Sequence, residues 1–355
     1  MKSINLMLMI KRAVLLENSF CLSSTARFRR YATSAHGEQQ QPVVGMIGLG
    51  NMGAGMALNL VQKGLPIVAY DYDTVRAERL KQKLKEEGPA SSSEMVTCAY
   101  SPCEVAQSSD IILLSIANQN ATQEVIFGDK GILEGQENQH VKVVADLGTV
   151  SLGFSQRCHR AFRKFNIGFL DAPVSGGPEG SLAGTLSVMV GGSIDDFDRA
   201  LPAFEAIGTN VVHLGKEGTG TITKMINQML VGAHITAAAE AYVMAKGLGL
   251  GTEDIEKLRS VLDNSWAQSR MLKRSMDLLL EGDKSGNYEQ LLDSAAPIRN
   301  LAKDFAIIET AAANNNLDLP SMELVGSIFS KAAATGLQEA DLCMIKELYE
   351  DKKVV

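Results

Sequence analysis

The sequence predicts an α/β domain built on a parallel sheet, joined by a long helix to an all-α domain. Three observations carry this expectation. Short apolar runs bounded by polar residues recur from Val43 to about residue 215 and alternate with helical spacing. A glycine-rich turn separates the first run from the first helix. Beyond residue 215 the β signals fade, and apolar residues recur at helical spacing to Glu350. The 355 residues suffice for about two domains. We expect them over 42–215 and 216–355, behind a segment 1–41 of different character.

That leading segment carries Lys2, Lys11, Arg12, Arg27, Arg29 and Arg30 against Glu17 and Glu38, a balance of +4. With −7 on the whole chain, the remainder holds −11. Arg-rich, Ser-containing, acid-poor N-termini read as organelle transit peptides. Arg29-Arg30-Tyr31-Ala32 resembles a mitochondrial processing site, so the mitochondrial matrix is the expected location. The cytoplasm is the expectation if the segment is not a transit peptide. A secretory signal built on residues 4–10 is the weaker rival, because Lys11-Arg12 cuts its apolar core after seven residues. A plain extension is the third reading.

The chain as a whole is of globular composition, 45% apolar and 21% charged. It has no run of ~18 apolar residues, so no membrane partner is expected. Its negative charge argues against a nucleic-acid partner. The five cysteines include no Cys-x-x-Cys pair and the five histidines lack a ligand spacing, so neither a disulfide framework nor a metal is expected. In Cys158-His159 the two side chains leave different helix faces, which argues against a dyad.

Val43 to Ile47 reads as a strand, Gly48-Leu49-Gly50-Asn51-Met52-Gly53 as a turn, and Met56, Leu60 and Val61 as one helix face closed by Gly64. Strand, glycine turn and helix form the context in which this glycine spacing means a dinucleotide site, and hence a Rossmann-type domain. Gly48 permits the tight turn, Gly50 lets backbone approach the pyrophosphate, and Gly53 allows close helix–strand packing. A second strand, Ile67 to Tyr70, ends in Asp71, twenty-one residues after Gly50. A carboxylate there accepts both ribose hydroxyls of NAD and repels the 2′-phosphate of NADP. NAD is the expected cofactor, and Arg76 stands close enough to keep NADP as the less favoured choice. Ile111 to Leu114 and Val141 to Ala145, the latter ending at Asp146, read as buried parallel strands. Ligands sit beyond the carboxyl ends of such strands, which brings Ser115–Asn118 and Leu147–Ser151 toward the cofactor. Runs at 167–170, 186–190 and 210–214 extend the sheet.

Residues 219–247 read as one helix with Ile222, Met225, Ile226, Met229, Leu230 and Ala233 on one side. Ala237, Ala238, Ala239 and Ala241 suit close packing in its second half. Later breaks are expected at Asn264-Ser265, Gly282 to Asn287, and Asn314 to Asn316. Lys224 and Gln228 share a helix face at i and i+4, so both can point at one small ligand. Desolvation lowers a lysine pKa and suits it to proton transfer near neutrality. A lysine snorkelling from the first turn fits the spacing equally well.

Four motifs in order now resemble one family. They are the glycine turn 48–53, Asp171-Ala172-Pro173-Val174-Ser175-Gly176-Gly177, Gly218-Thr219-Gly220 followed by Lys224, and Lys303-Asp304. From residue 43 to about 347 the chain is similar to the β-hydroxyacid dehydrogenases. The resemblance implies an NAD-dependent hydride transfer to or from a small hydroxy acid. It implies that Ser175, Gly176 and Gly177 hold the substrate carboxylate and that Lys224 is the general acid/base. Gln228 and Thr149 would contact substrate, Thr149 and Lys303 would stand at the nicotinamide, and the assembly would be a homodimer or homotetramer.

The sequence departs from the family in reading Asp146-Leu147-Gly148-Thr149, with Gly148 where a substrate-contacting serine is usual. Thr149 or the Gly148 N–H would have to substitute, and a missing donor can cost on the order of 10²-fold in rate. Gln228 replaces the usual Asn. Residues 224–234 and Asn264-Ser265-Trp266 resemble the threonate-type branch, which acts on four-carbon sugar acids, more than the hydroxyisobutyrate branch. Trp266 would then line the pocket or sit in the core, and His234 reads as a core histidine. Two other readings stand beside the enzyme. One is a dinucleotide-binding relative with weakened catalysis, acting as a scaffold. The other is a 6-phosphogluconate dehydrogenase, for which the second domain is short.

Overall fold

The computed structural model describes residues 41–87, 92–134 and 140–350. The expected targeting segment 1–41 lies outside them, save Gln41. The first strand, β1 (Val44–Ile47), leads through the glycine turn into α1 (Gly53–Gln62), β2 (Ile67–Tyr70), α2 (Thr74–Glu87) and β3 (Val96–Cys98). There follow α3 (Pro102–Ser108), β4 (Ile111–Leu114), α4 (Gln119–Phe127), β5 (Val143–Asp146), α5 (Leu152–Arg163) and β6 (Gly168–Asp171). These six strands are parallel and lie in the order β3-β2-β1-β4-β5-β6. The order reverses between β1 and β4, and a crevice opens beyond the strand ends at such a switch point.

Every residue of β1, β4 and β5 is buried. Alternate residues serve opposite faces. Val44, Met46, Leu113 and Ala145 pack on one side with Leu60 of α1, while Ile112, Leu114 and Val144 pack on the other with Phe154 and Phe162 of α5. Such double burial is why these strands read as unbroken apolar runs.

Past β6 the chain makes β7 (Val174–Ser175), α6 (Gly177–Ala183), β8 (Leu186–Gly191), α7 (Ile194–Ile207) and β9 (Gly208–Gly215). Here β8 runs antiparallel to β6 and β7 and parallel to β9. The long helix α8 (Thr219–Gly247) then begins the all-α part with α9 (Thr252–Asp263), α10 (Arg270–Ser285), α11 (Ile298–Asn314) and α12 (Pro320–Ala332). Its core gathers Ile235, Ala238, Ala239 and Tyr242 of α8 with Met276, Leu279, Phe305 and Phe329. The fold class is the one the sequence predicts.

Several details differ. The break expected over Gly282 to Asn287 is there but begins late: α10 continues to Ser285 and is closed by Gly286 in the left-handed region. On α8, Ile222, Ile226 and Leu230 are exposed, while Thr221, Lys224 and Met225 are buried. The helix turns part of its apolar stripe outward.

Candidate active site

The glycine turn follows β1 at the switch point. Gly48 has φ +90°, and a Cβ there would lie 2.3 Å from the Ser115 carbonyl oxygen. A Cβ on Gly53 would lie 1.8 Å from the Gly48 carbonyl oxygen. Only glycine fits either place. Among the described residues other than its two chain neighbours, a Cβ on Gly50 meets nothing within 4 Å except Arg76 Nη1 at 3.7 Å, so this face of the turn is open. The Leu49 N–H donates to Asp71 Oδ2 at 2.6 Å and the Asp73 N–H donates to Oδ1 at 2.9 Å. Asn51 and Met52 complete the turn, and Met52 starts α1 with no side-chain cap. An open cradle at a helix N-terminus, with a fixed carboxylate beyond the neighbouring strand, fits a pyrophosphate and a ribose.

The second half of the site is built around the start of α8. Asp171 closes β6 and accepts hydrogen bonds from the Gly218 N–H at Oδ1 and the Thr221 N–H at Oδ2, both at 2.8 Å. His159 Nε2 lies 2.9 Å from Oδ1. A buried carboxylate on the sheet thus caps the long helix. Lys224 stands just inside that end, buried, and its Nζ donates to the Val174 carbonyl oxygen at 2.8 Å, beside Ser175. Burial pushes its pKa down to about 8; the Asp304 carboxylate opposes the fall and the Lys303 ammonium adds to it.

Lys303 of α11 reaches back to donate to the Thr149 carbonyl oxygen at 3.1 Å. Its Nζ is also 3.1 Å from Asp304 Oδ1, as an ion pair off the hydrogen-bonding line. Gln228 Nε2 donates to Asp304 Oδ2 at 2.6 Å, and Asn227 Nδ2 donates to Gln228 Oε1 at 2.9 Å. Direct contacts therefore run from Gln228 through Asp304 and Lys303 to Thr149, with Lys224 close enough to feel both charges. Gly176 and Gly177 have φ +143° and +69° and bend the chain between Ser175 and α6.

The structure revises several expectations. The Gly148 N–H, a candidate replacement donor, is already engaged with Asp146 Oδ1 at 2.9 Å. A Cβ at Gly148 would lie 3.0 Å from that oxygen and 3.1 Å from the Ile116 carbonyl oxygen, so a side chain there crowds the turn. Thr149 meets Lys303 through its carbonyl rather than its hydroxyl. The Gln228 amide is held by Asp304 and Asn227 rather than free. Trp266 is fully exposed, so it lines no pocket and fills no core of this chain, because its segment falls between α9 and α10 on the surface. His234 is exposed as well, at the rim of the buried side of α8 that carries Ile235 and Ala238.

Asp146, Asp171 and His159 escaped the sequence reading as site elements. Asp146 is buried at the end of β5, and burial pushes its pKa up to about 6, with the Gly148 N–H opposing. Among the described residues its other oxygen, Oδ2, has no hydrogen-bond partner.

The geometry has close counterparts. A model of the NAD-binding domain of 6-phosphogluconate dehydrogenase matches residues 43–215. One described as the NAD-binding domain of NADP-dependent 3-hydroxyisobutyrate dehydrogenase matches residues 218–349. An L-threonate dehydrogenase of Cupriavidus necator is 34% identical over 294 residues, covering 82% of this chain and 91% of its own. The chain belongs to the β-hydroxyacid dehydrogenase family. Another relative, a 2-(hydroxymethyl)glutarate dehydrogenase of Eubacterium barkeri, is 30% identical over 312 residues, covering 86% of this chain and 94% of its own. The crystal structure of a 3-hydroxyisobutyrate dehydrogenase from Salmonella typhimurium superposes with a TM-score of 0.72 at 26% identity, over 87% of this chain and all of that one. As a β-hydroxyacid dehydrogenase the protein is an NAD(P)-dependent oxidoreductase acting on the CH–OH group of a hydroxy acid, with a nicotinamide dinucleotide as cofactor.

Proposed function

We propose that this dehydrogenase oxidises a four-carbon sugar acid of the threonate type, or 3-hydroxyisobutyrate, and uses Lys224 as the general acid/base. The observation that carries the reading is the Lys224 ammonium, buried against the Val174 carbonyl with its pKa brought down to about 8. A lysine so placed exchanges a proton with a hydroxyl near neutral pH. The bound dinucleotide supplies or accepts the hydride. Ser175, Gly176 and Gly177 hold the substrate carboxylate through the Ser175 hydroxyl and backbone N–H groups. Lys303 adds positive charge from α11, and Asp304, oriented by Gln228, holds that ammonium in place. Thr149 fixes the other side of Lys303 through its carbonyl.

NAD is the favoured dinucleotide in this reading, supported by the Asp71 carboxylate at the end of β2. The protein works in the mitochondrial matrix as a homodimer or homotetramer; the Arg-rich, acid-poor N-terminus supports the first statement and the outward apolar stripe of α8 the second.

The test is NADH or NADPH formation by the full chain on 3-hydroxyisobutyrate, L-threonate, D-glycerate and 6-phosphogluconate, beside Lys224→Ala. We expect turnover on one of the first two, lowered at least ~10²-fold in the variant with dinucleotide affinity retained. No turnover on any acid, with dinucleotide still bound, would favour the scaffold reading.

A further inference from the structure

The helix behind the glycine turn and the helix behind the 175–177 bend are joined directly. A Cβ on Gly55 of α1 would lie 2.7 Å from Ser181 Oγ and 2.9 Å from the Leu182 nitrogen, so glycine at 55 lets α6 lie against the first turn of α1. Ser181 is fully buried there, and its hydroxyl donates at 2.5 Å to the carbonyl oxygen of Met52, the residue that starts α1. One turn further along α1, the buried side chain of Asn59 reaches the opposite way. Its Nδ2 donates to the Ser181 and Leu182 carbonyl oxygens at 2.8 and 3.2 Å, and to the Gly55 carbonyl of its own helix at 2.9 Å. The last carbonyls of a helix have no partner within it, and Asn59 supplies a donor from outside. Its Oδ1 also lies 2.8 Å from where a Cβ on Gly184 would stand, so the residue that closes α6 is fitted to this side chain.

Both side chains act through backbone: Ser181 on the carbonyl that starts α1, Asn59 on the carbonyls that end α6. Gly177 of the bend is the first residue of α6, and Ser181 stands one turn beyond it. The seam therefore runs between the turn that cradles the dinucleotide and the bend that, on the function proposed above, holds the acid carboxylate. Hydride transfer needs donor and acceptor in near contact, and a misplacement of about 1 Å can cost on the order of 10²-fold in rate. We propose that Asn59 and Ser181 are positioning residues that tie the dinucleotide turn to the substrate bend, so that a dinucleotide which orders residues 48–53 also orders 175–183. The bond from Ser181 to Met52 carries this coupling most directly, since it joins the two segments with no other residue between them.

The test uses Ser181→Ala in the full chain, a variant that keeps its fold because the Met52 carbonyl still accepts the Met56 N–H. Amide hydrogen exchange is followed with and without saturating NAD, and separately NADP, in the absence of any acid. In the unmodified chain the dinucleotide should slow exchange at the start of α1 and also over 177–183. In Ser181→Ala the protection at α1 should remain and that over 177–183 should be lost. With L-threonate or 3-hydroxyisobutyrate, kcat of the variant should fall about tenfold while dinucleotide affinity and the KM for the acid stay within about threefold. Asn59→Ala should show the same split with a larger fall in melting temperature. Protection over 177–183 that survives in Ser181→Ala, or is absent from the unmodified chain, would overturn the proposal, as would a normal kcat in the variant. An unmodified chain that turns over neither acid would overturn the carboxylate reading of 175–177, and the exchange result would still decide whether the two segments are coupled.

Discussion

Lys224 shows how one residue's environment sets its chemistry. A lysine in water gives up its proton only at about pH 10.4. Here burial takes that point down to about 8, and Lys303 works in the same direction against Asp304. With Lys224 as the general acid/base proposed above, the two directions of reaction need opposite forms. Oxidation of the hydroxy acid needs the free amine, so its kcat/KM should rise with pH through about 8 and level off above. Reduction needs the ammonium, so its rate should fall over the same interval. Measuring both limbs on one preparation checks this, and limbs that move in the same direction would take the proton transfer away from Lys224. The sequence offered Lys224 and Gln228 on one helix face, which follows from 3.6 residues per turn. It could not show that Gln228 is spent on Asp304, since that contact joins residues 76 apart.

At the scale of elements, the joint between β6 and α8 decides where Lys224 stands. Asp171 receives two backbone N–H groups from the helix start and the His159 ring, all on one buried carboxylate. In Asp171→Asn an amide NH₂ replaces one accepting oxygen and faces a donor. Capping and charged hydrogen bonds of this kind contribute about 1–3 kcal/mol. We expect a lower melting temperature and a fall in kcat of at least about tenfold, with dinucleotide affinity kept within about twofold because the glycine turn lies elsewhere. An Asp171→Asn protein with normal kcat would show that Lys224 is placed without this cap. The helix itself was legible, since its apolar and alanine spacing runs unbroken over 219–247. The short strands β3 and β7 were not, because three and two residues give no periodicity and are fixed by their neighbours. The Asp171–His159 contact was equally hidden. The two residues stand twelve apart, and Cys158-His159 drew notice only as an adjacent pair.

The whole molecule adds what no single element shows, namely which apolar residues the fold leaves uncovered. Trp266 and His234 were misread for this reason: a sequence reports that a side chain is large and apolar or sits among apolar neighbours, whereas burial depends on what packs over it. The same holds for α8, where Ile222, Ile226 and Leu230 repeat every four residues and are 40%, 52% and 54% exposed. Single exposed apolar residues are ordinary, but a continuous stripe on one helix marks a surface that another protein covers. A second copy of the chain fits the assembly proposed above, and a closed dimer places the same stripe on both partners. The stripe runs along the side of α8 opposite Lys224, whose side chain is buried toward the sheet. Sedimentation of the full chain should therefore give a dimer or tetramer, and Ile226→Asp with Leu230→Asp should shift it toward monomer by burying charge at the contact. An unmodified chain that sediments as a monomer, or a doubly substituted chain that keeps its assembly, would move the interface off this face of α8.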